Sequence, residues 1–154
     1  MIRYHSIDSR GSVTDGPGVR TVVFLQGCDR HCPNCHNPST WNRDAGILTT
    51  EGALRDEILK SAPTKRVTIS GGEPMLQAGA VEKLIALLKE AGLDVALYTS
   101  CERSEIPKAI LDHLDYLKTG PYVDALRTTV TPYVGSTNQR FEKLHEEKEE
   151  RECT

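Results

Sequence analysis

The sequence predicts an α/β fold: a single domain in which a mostly parallel sheet forms an open partial (βα) barrel. Three observations predict it. Short β-branched runs alternate with amphipathic helical stretches from Thr21 onward, the pattern of strands joined by right-handed helical crossovers. A turn or loop rich in Gly, Pro, Ser or Cys follows each run. And 154 residues hold one core but not a closed eight-stranded barrel, which takes roughly 250 residues.

In chain order, Met1 to Arg20 is rich in Gly, Ser and Asp and reads as an irregular arm with room for a short strand. Within it, Asp15-Gly-Pro-Gly18 reads as a tight turn. Thr21–Gln26 (TVVFLQ) has strand length and strand composition. Gly27 to Asp44 carries three cysteines among turn-forming residues and reads as a long loop, a feature that is usually functional in compact domains. Thr49-Thr50-Glu51 opens a helix with Leu54, Ile58 and Leu59 at helical spacing. Arg66–Ser70 (RVTIS) is a second strand, ending in Gly71-Gly72-Glu73-Pro74. Ala80–Ala91 is helical through Val81, Leu84, Ile85, Leu87 and Leu88, and Gly92 stops it. Asp94–Thr99 is a third strand. Ser104 opens a helix with Ile106, Ile110, Leu111 and Leu114 on one face, and Asp115–Lys118 is a fourth strand. The expected division is a core over residues 1–141 and a charged C-terminal tail over 142–154, a solvated helix or frayed end.

In parallel sheets, ligands bind beyond the carboxyl ends of the strands. The cysteine loop follows the first strand, Gly71-Gly72-Glu73-Pro74 the second, Ser100-Cys101 the third and Thr119-Gly120 the fourth. All four are therefore expected at one edge.

Composition narrows the partners. Hydrophobic residues make up 38% and charged residues 27%, as in soluble globular proteins. A net charge of −3 offers no basic field for nucleic acid. No apolar run approaches the roughly 20 residues of a membrane helix, and the opening MIRYHSIDSRGS lacks the apolar stretch of a secretory signal. The expectation is a cytoplasmic protein with no nucleic-acid or membrane partner, in a compartment where thiols stay reduced. Five cysteines, three of them at 28, 32 and 35, then argue for ligands over a disulfide framework. Cys101 is expected as a buried structural thiol and Cys153 as a free thiol of the tail.

Cys28-Asp-Arg-His-Cys32-Pro-Asn-Cys35 admits three readings. A [4Fe–4S] cluster is usually held by four thiolates, so three leave one iron open for a substrate. A structural zinc would take the three thiolates with His31 or His36. A c-type haem would use Cys32-Pro-Asn-Cys35-His36 but leaves Cys28 without a role. Spacing favours the cluster over zinc, and zinc over haem.

C-x3-C-x2-C followed by a strand and GGEP resembles the radical S-adenosylmethionine (SAM) superfamily. Asp15-Gly-Pro-Gly-Val-Arg20, Val22-Val-Phe-Leu-Gln-Gly27 and Cys28 to Trp41 are similar, more narrowly, to the glycyl-radical-enzyme activases. Within these, the length, Lys118 to Leu126 (KTGPYVDAL) and Gly135 to Gln139 (GSTNQ) resemble the activases of anaerobic ribonucleoside-triphosphate reductase. His36 and the run from DGPGVR to LQGC resemble those of pyruvate formate-lyase.

The resemblance implies an open barrel of the radical SAM type, with cluster ligands Cys28, Cys32 and Cys35. It implies reductive cleavage of SAM to a 5′-deoxyadenosyl radical, which takes a hydrogen atom from a glycine of the partner enzyme. A low-potential electron donor is a second partner. The cofactors carry the chemistry, so no catalytic side chain is expected beyond the cluster and SAM. Gly71, Gly72 and Glu73 would bind the methionine amino group: glycine backbone can approach a ligand closely and a carboxylate can accept from an ammonium. Asn34, Cys35 and His36 would flank SAM, and Lys118 would reach its carboxylate. Arg20 would pair with Asp15 or a substrate carboxylate, with a structural role favoured, and Trp41 would cover the apolar side of the cysteine loop.

Overall fold

The computed structural model describes residues 1–35 and 37–145. His36, Cys153 and residues 146–154 lie outside them, and so do the roles expected of His36, of Cys153 and of most of the charged tail.

Seven strands form one open sheet: β1 (Ile2–Ser12), β2 (Arg20–Leu25), β3 (Ile47–Thr49), β4 (Arg66–Gly71), β5 (Asp94–Tyr98), β6 (Tyr116–Thr119) and β7 (Arg140–Lys143). Their order is β3-β1-β2-β4-β5-β6-β7. The central four, β2, β4, β5 and β6, are parallel. β1, β3 and β7 add antiparallel strands at the flanks. Helices α1 (Glu51–Ser61), α2 (Ala78–Glu90) and α3 (Lys108–Leu111) join the parallel strands.

Alternation along the strands divides the sheet into two faces. Val23 and Leu25 of β2, Val67 and Ile69 of β4, Val95 and Leu97 of β5, and Leu117 of β6 all belong to the core. They pack with Leu54 and Ile58 of α1, with Val81, Leu84, Ile85 and Leu88 of α2, and with Ile110 of α3. The residues between them alternate to the opposite face, where Phe24, Ser70, Tyr98 and Lys118 line a cavity. One period-2 pattern thus builds the core on one side and the site on the other.

Thr50 caps α1, its Oγ1 accepting from the Ala53 N–H at 3.1 Å. Of the N-terminal arm, residues 13–19 are irregular as expected, but its strand is long: Ile2–Ser12, 11 residues with Ile2 fully buried, because Ile2, Tyr4 and Ile7 pack on the core. The helix expected from Ser104 is broken. A Glu102–Glu105 capping box closes a 3-10 turn at Arg103–Glu105, and Pro107, lacking an amide donor, starts the short α3. Ile106, Ile110 and Leu114 are buried all the same. At the other end, Glu142 and Lys143, expected at the start of the tail, belong to β7 and pair with Leu117 and Tyr116. The Leu144 N–H then donates to the Asp115 carbonyl at 3.0 Å. Charge alternation on an edge strand reads as a solvated run in sequence, and pairing with β6 decides otherwise.

Candidate functional site

The cavity, about 730 Å³, opens at the carboxyl ends of the parallel strands. Cys28, Cys32 and Cys35 all line it, with Gly71, Gly72, Ser100 and Lys118. Of the four features expected at one edge, the cysteine loop, the glycine pair and Ser100 line it; from the end of the fourth strand Lys118 lines it in place of Thr119-Gly120, and the Gly120 N–H donates to the Cys101 carbonyl at 3.1 Å.

The cysteine loop leaves β2 and is fastened at its root. The Gly27 N–H donates to the Thr40 carbonyl at 2.6 Å and the Cys28 N–H to the Trp41 carbonyl at 3.1 Å. The Gln26 side chain donates to the carbonyls of Ser39 and Asn42, at 3.1 and 2.7 Å. His31 stacks on Trp41 with ring centroids 4.4 Å apart, so Trp41 covers the loop as expected. All three loop thiols are free and half-buried. Burial pushes the Cys28 thiol up, against the backbone N–H groups of Arg30 and His31 that donate to it.

The glycine pair has a tighter reason than ligand approach. Gly71 lies at φ +111°, and a Cβ there would stand 2.2 Å from the Leu25 nitrogen. A Cβ on Gly72 would stand 2.2 Å from the Gly27 carbonyl oxygen. The Gly72 N–H donates to the Leu25 carbonyl at 3.1 Å and the Glu73 N–H to the Gly27 carbonyl at 2.8 Å. The two glycines therefore press the end of β4 against the root of the cysteine loop, while also lining the cavity.

Glu73 is held by several donors of the protein. Its carboxylate is buried and turned toward β5. It accepts from the Thr99 hydroxyl, the Ser100 N–H and hydroxyl, and the Met75 N–H. Through these bonds the carboxylate braces the site. The Asn34 side chain, as distinct from the backbone expected to flank SAM, is exposed and donates to Asp124 Oδ2 at 2.9 Å.

Lys118 does project into the cavity, with its Nζ 5.1 Å from the centre of the Tyr98 ring. Burial brings its ammonium down to about 8, partly offset by Glu73, Cys32 and Asp15. Arg20 is structural. It is fully buried, with one guanidinium nitrogen 2.6 Å from Asp94 Oδ1, and it also donates to Thr68, Pro17 and Val67. Asp15 instead accepts from the Ser12 hydroxyl. Cys101 is buried, and Arg30 donates to its sulfur at 3.6 Å.

The sequence reading gave no site role to Thr99 or to the segment Thr129–Val134, which both line the cavity. The GSTNQ and KTGPYVDAL motifs pointed to that wall. Gln139 Nε2 donates to the Gly120 carbonyl at 3.0 Å and Asn138 Nδ2 to the Pro121 carbonyl at 2.8 Å, so the two motifs hold each other.

Among the described residues, no three His, Cys, Asp or Glu side chains converge on a single metal ion. Three half-buried thiols on one loop, facing one cavity, fit the donor set of an iron–sulfur cluster. No helix among the described residues is long and apolar enough to cross a membrane.

A thiol-lined cavity at the carboxyl edge of an open α/β sheet defines a cofactor-binding domain of the iron–sulfur class. The chain belongs to the family described as "4Fe-4S single cluster domain", which matches residues 14–142. It is 42% identical over 120 residues to the pyruvate formate-lyase-activating enzyme of Clostridium pasteurianum, covering 75% of this chain and 50% of that protein. It is likewise 42% identical over 120 residues to the enzyme of the same name from Staphylococcus aureus, covering 74% and 47%. The chain thus spans about half the length of these relatives. Its fold is similar to that of QueE from Escherichia coli, with a TM-score of 0.54 and 16% identity over 74% of this chain and 68% of that one. The family match assigns the chain a [4Fe–4S] cluster.

Proposed function

We propose that this chain is a radical SAM activase that installs a glycyl radical on pyruvate formate-lyase. The observation that carries the reading is the convergence of Cys28, Cys32 and Cys35 with Gly71, Gly72 and Lys118 on one cavity, in a chain 42% identical to pyruvate formate-lyase-activating enzymes. Cys28, Cys32 and Cys35 would hold the cluster, with SAM in the cavity beside it. Together they would supply one-electron cleavage of SAM to methionine and a 5′-deoxyadenosyl radical, which would take a hydrogen atom from a glycine of the partner and leave as 5′-deoxyadenosine.

The chain's own residues bind and shield. Gly71 and Gly72 bring the β4 end against the cysteine loop, Glu73 keeps β4 and β5 in register, and Lys118 offers a cation to the SAM carboxylate. His36 and the backbone of Cys35 flank SAM. A low-potential donor supplies the electron, and the setting is the cytoplasm.

Anaerobic ribonucleoside-triphosphate reductase is a second candidate partner. The mutual bonding of KTGPYVDAL with GSTNQ favours it, because those are the motifs that resemble the reductase activases. The names of the relatives favour pyruvate formate-lyase, which is therefore the first choice.

The test is anaerobic incubation of cluster-loaded protein with SAM, strong reductant and each candidate enzyme, followed by electron paramagnetic resonance. A glycyl-radical signal with pyruvate formate-lyase is expected. A signal only with the reductase reverses the choice of partner. SAM cleavage by a variant lacking all three loop cysteines would defeat the mechanism, and stoichiometric zinc without sulfide would defeat the cluster.

A further inference from the structure

The outer turn of the cysteine loop lies far from the fastened root at Gly27 and Cys28. Between the second and third cysteines its backbone closes only through the Cys35 N–H to the Cys32 carbonyl, at 3.1 Å, among the described residues. Asn34 stands there at φ +56°, a left-handed conformation that asparagine tolerates better than most residues. Its Nδ2 donates to Asp124 Oδ2 at 2.9 Å, bridging 90 positions of sequence. The other oxygen of Asp124 accepts from the Tyr122 hydroxyl, also at 2.9 Å.

Asp124 is itself held from behind. It opens the turn Asp124–Leu126, and the preceding Val123 N–H donates to Ser136 Oγ at 3.2 Å. The Thr137 N–H donates to the Leu126 carbonyl at 2.9 Å. Ser136 is fully buried, and Gln139 ties Gly120 to Gly135 through its amide, at 3.0 and 2.9 Å. A set of hydrogen bonds therefore runs from the end of β6, through buried Gln139 and Ser136, to the residue beside Cys35.

We propose that Asp124 is a positioning residue for the cluster loop, clamping Asn34 so that Cys32 and Cys35 stay at the cavity wall. A charged acceptor suits the task, because charge-assisted hydrogen bonds are shorter and stronger than neutral ones. The bond is exposed and joins the loop to the 124–126 turn. The inference rests on the reading of this loop as the cluster loop, and its test needs neither SAM nor partner enzyme.

The experiment compares reconstituted wild type with Asp124→Ala, Asp124→Asn, Asn34→Gly and the double variant Asn34→Gly/Asp124→Ala. Iron release to a ferrous chelator is followed under anaerobic conditions, and thermal melting of the cluster-free proteins is measured alongside. Asp124→Ala and Asn34→Gly are each expected to release iron roughly three- to tenfold faster, the range one lost hydrogen bond allows. The double variant is expected to be no faster than the faster single one, since both remove the same contact. Asp124→Asn keeps an acceptor oxygen and is expected within about twofold of wild type. Cluster-free melting should be unchanged. Wild-type release rates in Asp124→Ala, multiplied effects in the double variant, or a parallel fall in cluster-free melting would each overturn the clamp. Asn34→Gly carries the test if Asp124→Ala does not fold, because it leaves the 124–126 turn untouched. Failure of wild type to take up iron and sulfide would defeat the cluster reading instead, so the two failures are distinguishable.

Discussion

The carboxylate of Glu73 accepts a hydrogen bond from the Thr99 hydroxyl at 2.6 Å, joining the residues just beyond β4 and β5 at the edge where the site forms. Glu73 is also the second residue after the close-packed Gly71, so one short segment grips the cysteine loop with its backbone and β5 with its side chain. Removing the carboxylate strands buried donors on Thr99 and Ser100. Glu73→Ala is expected to cost about 3 kcal/mol, read as a lower urea midpoint with unchanged slope. Glu73→Gln keeps one acceptor oxygen and should lose less.

Gly72→Ala is expected to displace the cysteine loop, because its Cβ would meet the Gly27 carbonyl oxygen at 2.2 Å and that partner is backbone. Iron uptake should fall sharply in reconstitution. Gly79→Ala is the control. A Cβ there meets nothing within 4 Å, and within α2 the change should stabilise by about 0.5–1 kcal/mol.

Lys118 makes stability depend on pH in a definite direction. Its pKa falls from 10.5 in the open chain to about 8 in the fold. Between those values the unfolded chain keeps a proton that the folded chain has released, so stability rises with pH. Below about pH 8 the folded protein carries the full penalty of a buried ammonium. Lys118→Met should therefore stabilise the cluster-free protein at pH 7 by about 2 kcal/mol, allowing for partial exposure. The advantage should fade as pH approaches 10.5. The same variant should weaken SAM binding by the loaded protein, measured by equilibrium titration.

Asp94→Ala leaves the fully buried guanidinium of Arg20 without its carboxylate. The expected cost is about 3 kcal/mol, checked by urea denaturation. Asp94→Asn should cost less, because an amide oxygen still accepts. A change in cluster content out of proportion to stability would contradict the structural role given to Arg20.

Cys101→Ala is expected to keep the full iron content, in contrast to alanine at 28, 32 or 35. Its thiol is buried against Arg30, off the loop that carries the other three. Iron and sulfide assays on reconstituted variants check this.

Local chemistry determined much of this protein. The β-branched runs placed β2, β4, β5 and β6, Thr50 announced the start of α1, and chain order alone brought the cysteines, the glycine pair and Ser100 to one edge. Those features follow from side-chain periodicity and from the handedness of crossovers, which act over short stretches. Tertiary structure decided what depends on a partner distant in sequence. β1 is a strand because β2 and the core receive it, and Glu142 is in a strand because β6 does. Glu73 is a brace because Thr99 and Ser100 arrive beside it, and Asn34 points at Asp124, 90 residues away. A hydrogen bond is directional and short-ranged, so its partner becomes known only when the chain has folded back to supply it.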